Sequence, residues 1–134
     1  MLATPRLVIL SSVYYKVHIT YGQFIRECRE TLRKTDPSYS VRQVAQRIGV
    51  EPAYLSKIER DEVSPPSEEK IRGLARELGE DPDVLLAMAG KVSSDLLAII
   101  RKRPQLFADL IRQLKSLPDH ALVRIAREVR DGDW

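Results

Sequence analysis

Hydrogen-bond donors are concentrated in the stretch from Ser40 to Arg60, which reads SVRQVAQRIGVEPAYLSKIER. Hydroxyl, guanidinium and ammonium groups can donate to phosphate oxygens, and an ammonium group also reaches the acceptor atoms of guanine. In the second half of the stretch, Leu55 and Ile58 recur at helical spacing, so the residues around them face the other way. These outward residues are Ala53, Tyr54, Ser56, Lys57 and Arg60. The spacing predicts a helix that offers donors to an anionic partner.

Two short helices and a tight turn are predicted to position that face. Ser40 is a favourable N-cap and Gln43 follows at capping-box spacing, so the first helix should begin at residue 41. Its apolar side consists of Val44, Ala45 and Ile48. Gly49 suits a left-handed residue after the helix, and Pro52 suits the first turn of the next one. Together these signals predict a helix-turn-helix arrangement.

Residues on both sides of this turn occur at the spacing of a known family. The matching residues are Ala45, Gly49, Val50, the run from Tyr54 to Arg60, Pro66 and Ser67. In these positions, from about 22 to 88, the chain resembles the lambda repressor-Cro-like (XRE) family of regulators. The resemblance implies an all-α fold with a five-helix lambda-repressor-like domain that binds double-stranded DNA.

The resemblance also implies which positions face the DNA bases. They are Pro52, Ala53 and Lys57, with Tyr54 alongside. Lys57 can donate to guanine O6 and N7, and Ala53 can contact a thymine methyl group. Because Pro52 has no side-chain donor, we expect DNA shape and two half-sites acting together to contribute to specificity.

Phosphate contacts are expected at the ends of the two helices. Ser40 and Arg42 begin the first helix, where free N–H groups and the helix dipole favour an anion. Arg60 and the Tyr54 hydroxyl are further phosphate candidates, and Ser56 shares their exposed face.

Within the domain, the resemblance implies a structural ion pair between Arg29 and Glu59. Arg29 belongs to a helix predicted over residues 21–34, whose inward residues are Phe24, Ile25, Cys28 and Leu32. Asp61 stands where the family usually has glycine, and aspartate tolerates left-handed geometry moderately well.

The chain divides into three predicted regions. Residues 1–20 include two runs rich in β-branched and aromatic residues, RLVIL and VYYKVHI, and suggest an arm, a short strand pair or residues upstream of the domain. Residues 21–90 form the DNA-binding domain, whose last two helices should begin after Ser67 and Asp81, with Val84, Leu85 and Met88 buried. Residues 91–134 carry three short amphipathic helices that cannot bury their apolar stripes alone. We expect this helical extension to form a dimer, with packing inside one chain as the alternative.

Composition excludes several functional classes. The formal net charge is only +3, so the motif rather than the charge predicts a nucleic-acid partner. Cys28 cannot form an intramolecular disulfide, and His18 and His120 share no metal-ligand spacing with it. No catalytic constellation, metal site, cofactor motif or membrane span is evident, so we expect a cytoplasmic protein that is not an enzyme.

Two functions fit these features. The first is a sequence-specific bacterial or phage transcriptional regulator, expected to be a repressor that binds as a homodimer. The alternative is an antitoxin, whose C-terminal helices would bind a toxin while the same DNA-binding unit regulates its own operon.

Overall fold

The computed structural model describes residues 19–134, and this range is helical with no strand. The eight α-helices are α1 (Tyr21–Arg33), α2 (Val41–Ile48), α3 (Pro52–Glu59), α4 (Glu68–Leu78), α5 (Pro82–Met88), α6 (Ser94–Lys102), α7 (Pro104–Leu114) and α8 (Asp119–Asp131). One 3₁₀ turn, Pro37–Tyr39, lies between α1 and α2. The prediction of an all-α fold with a C-terminal helical extension is confirmed, whereas the arm or strand pair predicted for residues 1–20 falls almost wholly outside the described residues.

Local signals set the ends of α2 and the start of α3. The Ser40 hydroxyl accepts a hydrogen bond from the Gln43 backbone N–H over 3.2 Å and so caps α2. The same hydroxyl donates to the Gln43 side chain, whereas a full capping box would direct that side chain to the Ser40 backbone N–H. Gly49 ends α2 with φ +76°, a left-handed conformation that costs glycine little. Pro52 then occupies the first turn of α3.

A single apolar core joins α1 to α5. It contains Tyr21, Phe24, Ile25, Cys28, Val44, Ala45, Leu55, Ile58, Ile71, Leu74, Ala75, Leu78, Leu85 and Leu86. The expectation for α5 was partly wrong, because Leu86 is buried beside Leu85 while Val84 and Met88 are only half-buried. A helix of seven residues is too short for its apolar spacing to define the buried side unambiguously.

The chain forms two compact units, with the division between Ser93 and Ser94. The N-terminal unit holds the whole apolar core, whereas no residue of the C-terminal unit, 94–134, is buried. Within the C-terminal unit, Leu106 is 61% exposed, Leu110 46% and Ile111 56%. Its three helices therefore carry apolar faces without forming a core of their own. No helix within residues 19–134 has the length and apolar character of a membrane span.

Candidate nucleic-acid interface

Helix α3 is anchored to α1 by a buried ion pair. Arg29 Nε donates to Glu59 Oε2 over 2.7 Å, and Arg29 Nη2 donates to Glu59 Oε1 over 3.0 Å. The two side chains are only 3% and 4% exposed. A third contact runs from Arg29 Nη1 to the Tyr39 carbonyl over 3.1 Å, which ties the 3₁₀ turn to the same guanidinium. The pair implied by the resemblance is therefore present in the structure, and it fixes the buried side of α3.

Burial and pairing act in opposite directions on this guanidinium. Burial by itself lowers the pKa of Arg29, but the hydrogen bonds and charge of Glu59, joined by those of Glu30, raise it above its ordinary value. The arginine therefore keeps its charge when buried, and its pair with Glu59 is a structural contact.

A lysine from α4 stabilises the turn between α2 and α3. Lys70 Nζ donates to the Ile48 carbonyl over 3.0 Å and approaches the Gly49 carbonyl at 3.4 Å. These carbonyls end α2, where a positive charge also complements the helix dipole. Sequence reasoning missed Lys70, because its partners lie more than twenty positions earlier in the chain and no local pattern connects them.

Asp61 ends α3 and at the same time caps α1. Its φ of +58° is left-handed, and its backbone N–H donates to the Ile58 carbonyl over 3.0 Å, as in a Schellman motif. Its carboxylate accepts hydrogen bonds from the Thr20 hydroxyl over 2.6 Å and from the Gly22 backbone N–H over 3.0 Å. Asp61 thus uses its carboxylate to join the end of α3 to the start of α1.

The outward face of α3 is accessible. Pro52, Ala53 and Lys57 are exposed, and Tyr54 and Ser56 are half-buried. Beneath them, Leu55 is fully buried and Ile58 is 2% exposed. The Lys57 ammonium makes no hydrogen bond or ion pair with any described residue, so it is available to a ligand.

The two candidates at the start of α2 differ in how freely they could bind a phosphate. Arg42 is exposed and forms no ion pair within residues 19–134. Ser40 is half-buried, and its hydroxyl is already used in capping α2. Any anion bound here would therefore rely on Arg42 and on backbone N–H groups of the first turn.

Arg60, at the end of α3, is paired within the chain. Its Nε donates to Glu62 Oε2 over 2.6 Å, and both side chains are about half exposed, at 49% and 50%. The structure therefore groups Pro52, Ala53, Tyr54, Ser56 and Lys57 on α3, places Ser40 and Arg42 on the preceding helix, and gives Arg60 an internal partner.

An open groove runs beside the turn that joins α2 and α3. It encloses about 540 Å³ and is lined by Gln46, Gly49, Val50, Glu51 and Tyr54. Its polar groups are a carboxamide, a carboxylate and a phenol, which suit hydrogen bonding at the edge of an interface.

Residues 19–134 offer neither a metal-binding cluster nor an accessible thiol. Residues 19–134 contain no cluster of three or more His, Cys, Asp or Glu side chains that could hold a metal ion. Cys28 is buried, and burial together with the nearby Glu80 carboxylate raises the pKa of its thiol, which keeps it protonated. This residue is part of the apolar core.

Comparison with known proteins identifies the unit that contains these residues. A family model described as a helix-turn-helix domain matches residues 20–88, a range that spans α1 to α5. No curated protein and no solved structure matches the chain.

Proposed function

The chain belongs to the helix-turn-helix domain family, and from that premise we propose that it is a sequence-specific regulator of transcription, a repressor that binds double-stranded DNA as a homodimer. In this proposal it acts by binding alone and needs neither a cofactor nor a catalytic residue. The XRE-type resemblance suggests the mode of binding, in which α3 enters the major groove.

The observation that carries the proposal is the accessible outer face of α3 on a rigidly held helix. Leu55 and Ile58 are buried below it, and the Arg29–Glu59 pair fixes its inner side. A helix held in this way needs little reordering on binding, so its contacts are not offset by a large entropic cost.

On that face, Lys57 is proposed to read a guanine and Ala53 a thymine methyl group. Arg42 and the Tyr54 hydroxyl are proposed to contact phosphates, which position the helix without reading sequence. Pro52 and Ser56 complete the contact surface by shape.

The C-terminal unit supports the dimer. Its helices expose Leu106, Leu110 and Ile111, and a unit of this size with no buried residue lacks a core of its own. Covering these faces with a second copy of the chain would bury apolar area. It would also supply the second helix-turn-helix unit that a two-fold symmetric DNA site requires.

Selection from a random duplex library at a stated salt concentration tests the proposal directly. We expect a recovered sequence with two related half-sites separated by about one helical turn, because a dimer presents two copies of α3. Recovery of a random population, or of duplexes bound no better than bulk competitor DNA, would contradict it.

An antitoxin is the second candidate, because the same exposed faces of the C-terminal unit would also suit a different protein. Sedimentation velocity separates the two functions. A dimer at micromolar concentration supports the homodimeric regulator, whereas a monomer that co-purifies with a protein encoded beside it supports the antitoxin.

A further inference from the structure

At the end of α3, the carboxylate of Glu62 is paired with Arg60, a candidate phosphate-binding residue. Arg60 Nε and Nη2 donate to Glu62 Oε2 and Oε1 at 2.6 and 3.4 Å. Two side-by-side N–H···O contacts are the fork arrangement in which a guanidinium binds either a carboxylate or a phosphate. The Glu62 carboxylate therefore occupies the place that two phosphate oxygens would take.

The backbone keeps Glu62 beside the outer face of α3. The Glu62 N–H donates to the Lys57 carbonyl over 2.9 Å, which closes the last turn of the Schellman motif around Asp61. The hydrogen bond from Arg60 lowers the pKa of Glu62, and the positive charges of Arg60 and Lys57 lower it further. One ionised carboxylate thus lies near Lys57, in α3, and near Arg60, directly after it, and both cations are expected to contact DNA.

We propose that Glu62 is an intramolecular competitor for DNA phosphate: by holding Arg60, it withholds this guanidinium from the duplex backbone. The inference rests on the proposed function and adds a residue that limits the affinity for DNA. An ion pair this exposed contributes little to the stability of the fold, so removing the carboxylate should free Arg60 without unfolding the protein. By neutralising Arg60, Glu62 reduces the part of the affinity that does not depend on sequence.

Replacing the carboxylate with its neutral isostere tests this role. Glu62→Gln leaves Arg60 without a competing anion, so one more counterion should be released when the duplex binds. The slope of log K against log salt should steepen by about 0.9, which means about 3.5-fold more affinity lost between 50 and 200 mM salt than in the wild type. At the lower salt concentration, selected and scrambled duplexes should both bind more tightly.

Two matched variants show whether the effect passes through Arg60. Arg60→Gln combined with Glu62→Gln should return the salt slope to that of the wild type, because the freed cation is then absent. Glu128→Gln removes the same charge from an exposed pair, in which Arg124 Nε lies 3.2 Å from Glu128 Oε1, and should leave the slope unchanged.

The outcomes separate this inference from the proposed function. A wild type that shows no sequence preference contradicts the proposed function and the inference with it. If the wild type does show a clear sequence preference, the proposed function stands and only the role of Glu62 is at stake. That role is refuted if Glu62→Gln keeps the original slope, if the double variant stays as steep as Glu62→Gln, or if Glu128→Gln steepens the slope equally.

Discussion

Removing one partner of the Arg29–Glu59 pair should destabilise the N-terminal unit severely. Arg29→Met leaves the Glu59 carboxylate, only 4% exposed, without two charge-assisted hydrogen bonds of 2.7 and 3.0 Å. Breaking a buried pair in this way costs about 3–5 kcal/mol. Because small domains have a free energy of unfolding of about 5–15 kcal/mol, this single change removes a large share of the total.

Replacing both partners should cost far less than the two single replacements suggest. Arg29→Met with Glu59→Leu removes both charges and fills the space with apolar atoms, an exchange that is often close to neutral. The Tyr39 carbonyl would still lose its donor, which costs about 1 kcal/mol. The double variant is therefore expected within about 2 kcal/mol of the wild type.

Urea unfolding followed by circular dichroism measures these differences in free energy. Arg33→Met is the matched control, because Arg33 lies on the same helix in an exposed contact of 3.8 Å with Glu30 and should change stability by less than about 1 kcal/mol. Additive effects of the Arg29 and Glu59 replacements would refute the reasoning. So would a loss from Arg29→Met no larger than that from Arg33→Met.

Two substitutions and one labelling experiment test other parts of the structure. Gly22→Ala should destabilise the fold by about 1–3 kcal/mol, because the new Cβ would clash with the Ile58 backbone carbonyl oxygen and would lie 2.6 Å from the Asp61 carboxylate; unchanged urea midpoints would contradict this close approach. The Cys28 thiol should resist Ellman's reagent at pH 8 until the protein unfolds, and its contribution to stability should fall above about pH 8.5, since its pKa is raised only in the folded state. Fast labelling of the native protein would show that the thiol is accessible. If the proposed dimer forms through the C-terminal unit, replacing Leu110 and Ile111 together by Asp should convert it to a monomer in sedimentation velocity; an unchanged dimer would place the interface elsewhere.

Local sequence signals were sufficient to predict the helix-turn-helix arrangement. An N-cap serine, a left-handed glycine and a proline at a first helical turn each act on neighbouring residues, so Ser40, Gly49 and Pro52 defined the ends of α2 and the start of α3. The apolar spacing of Leu55 and Ile58 likewise identified the buried side of α3, and with it the side left to a ligand.

Contacts between distant segments could not be predicted in the same way. Lys70 reaches the carbonyls at the end of α2, and Asp61 reaches the first turn of α1, because the fold brings these segments together. Glu62 binds Arg60 across a helix end rather than along a helix, so the usual three- or four-residue spacing of charged pairs gave no indication of it. The C-terminal unit is a different case. Its apolar stripes were evident in the sequence, but the sequence did not indicate which surface covers them.

The measurement that tests the central claim most directly is the binding of wild-type protein and Lys57→Ala to the selected duplex and to its single-base variants. If the outer face of α3 reads the major groove, Lys57→Ala should weaken binding by about 1–3 kcal/mol and relax the preference at one base pair. Unchanged affinity together with unchanged preference at every base pair would contradict the account.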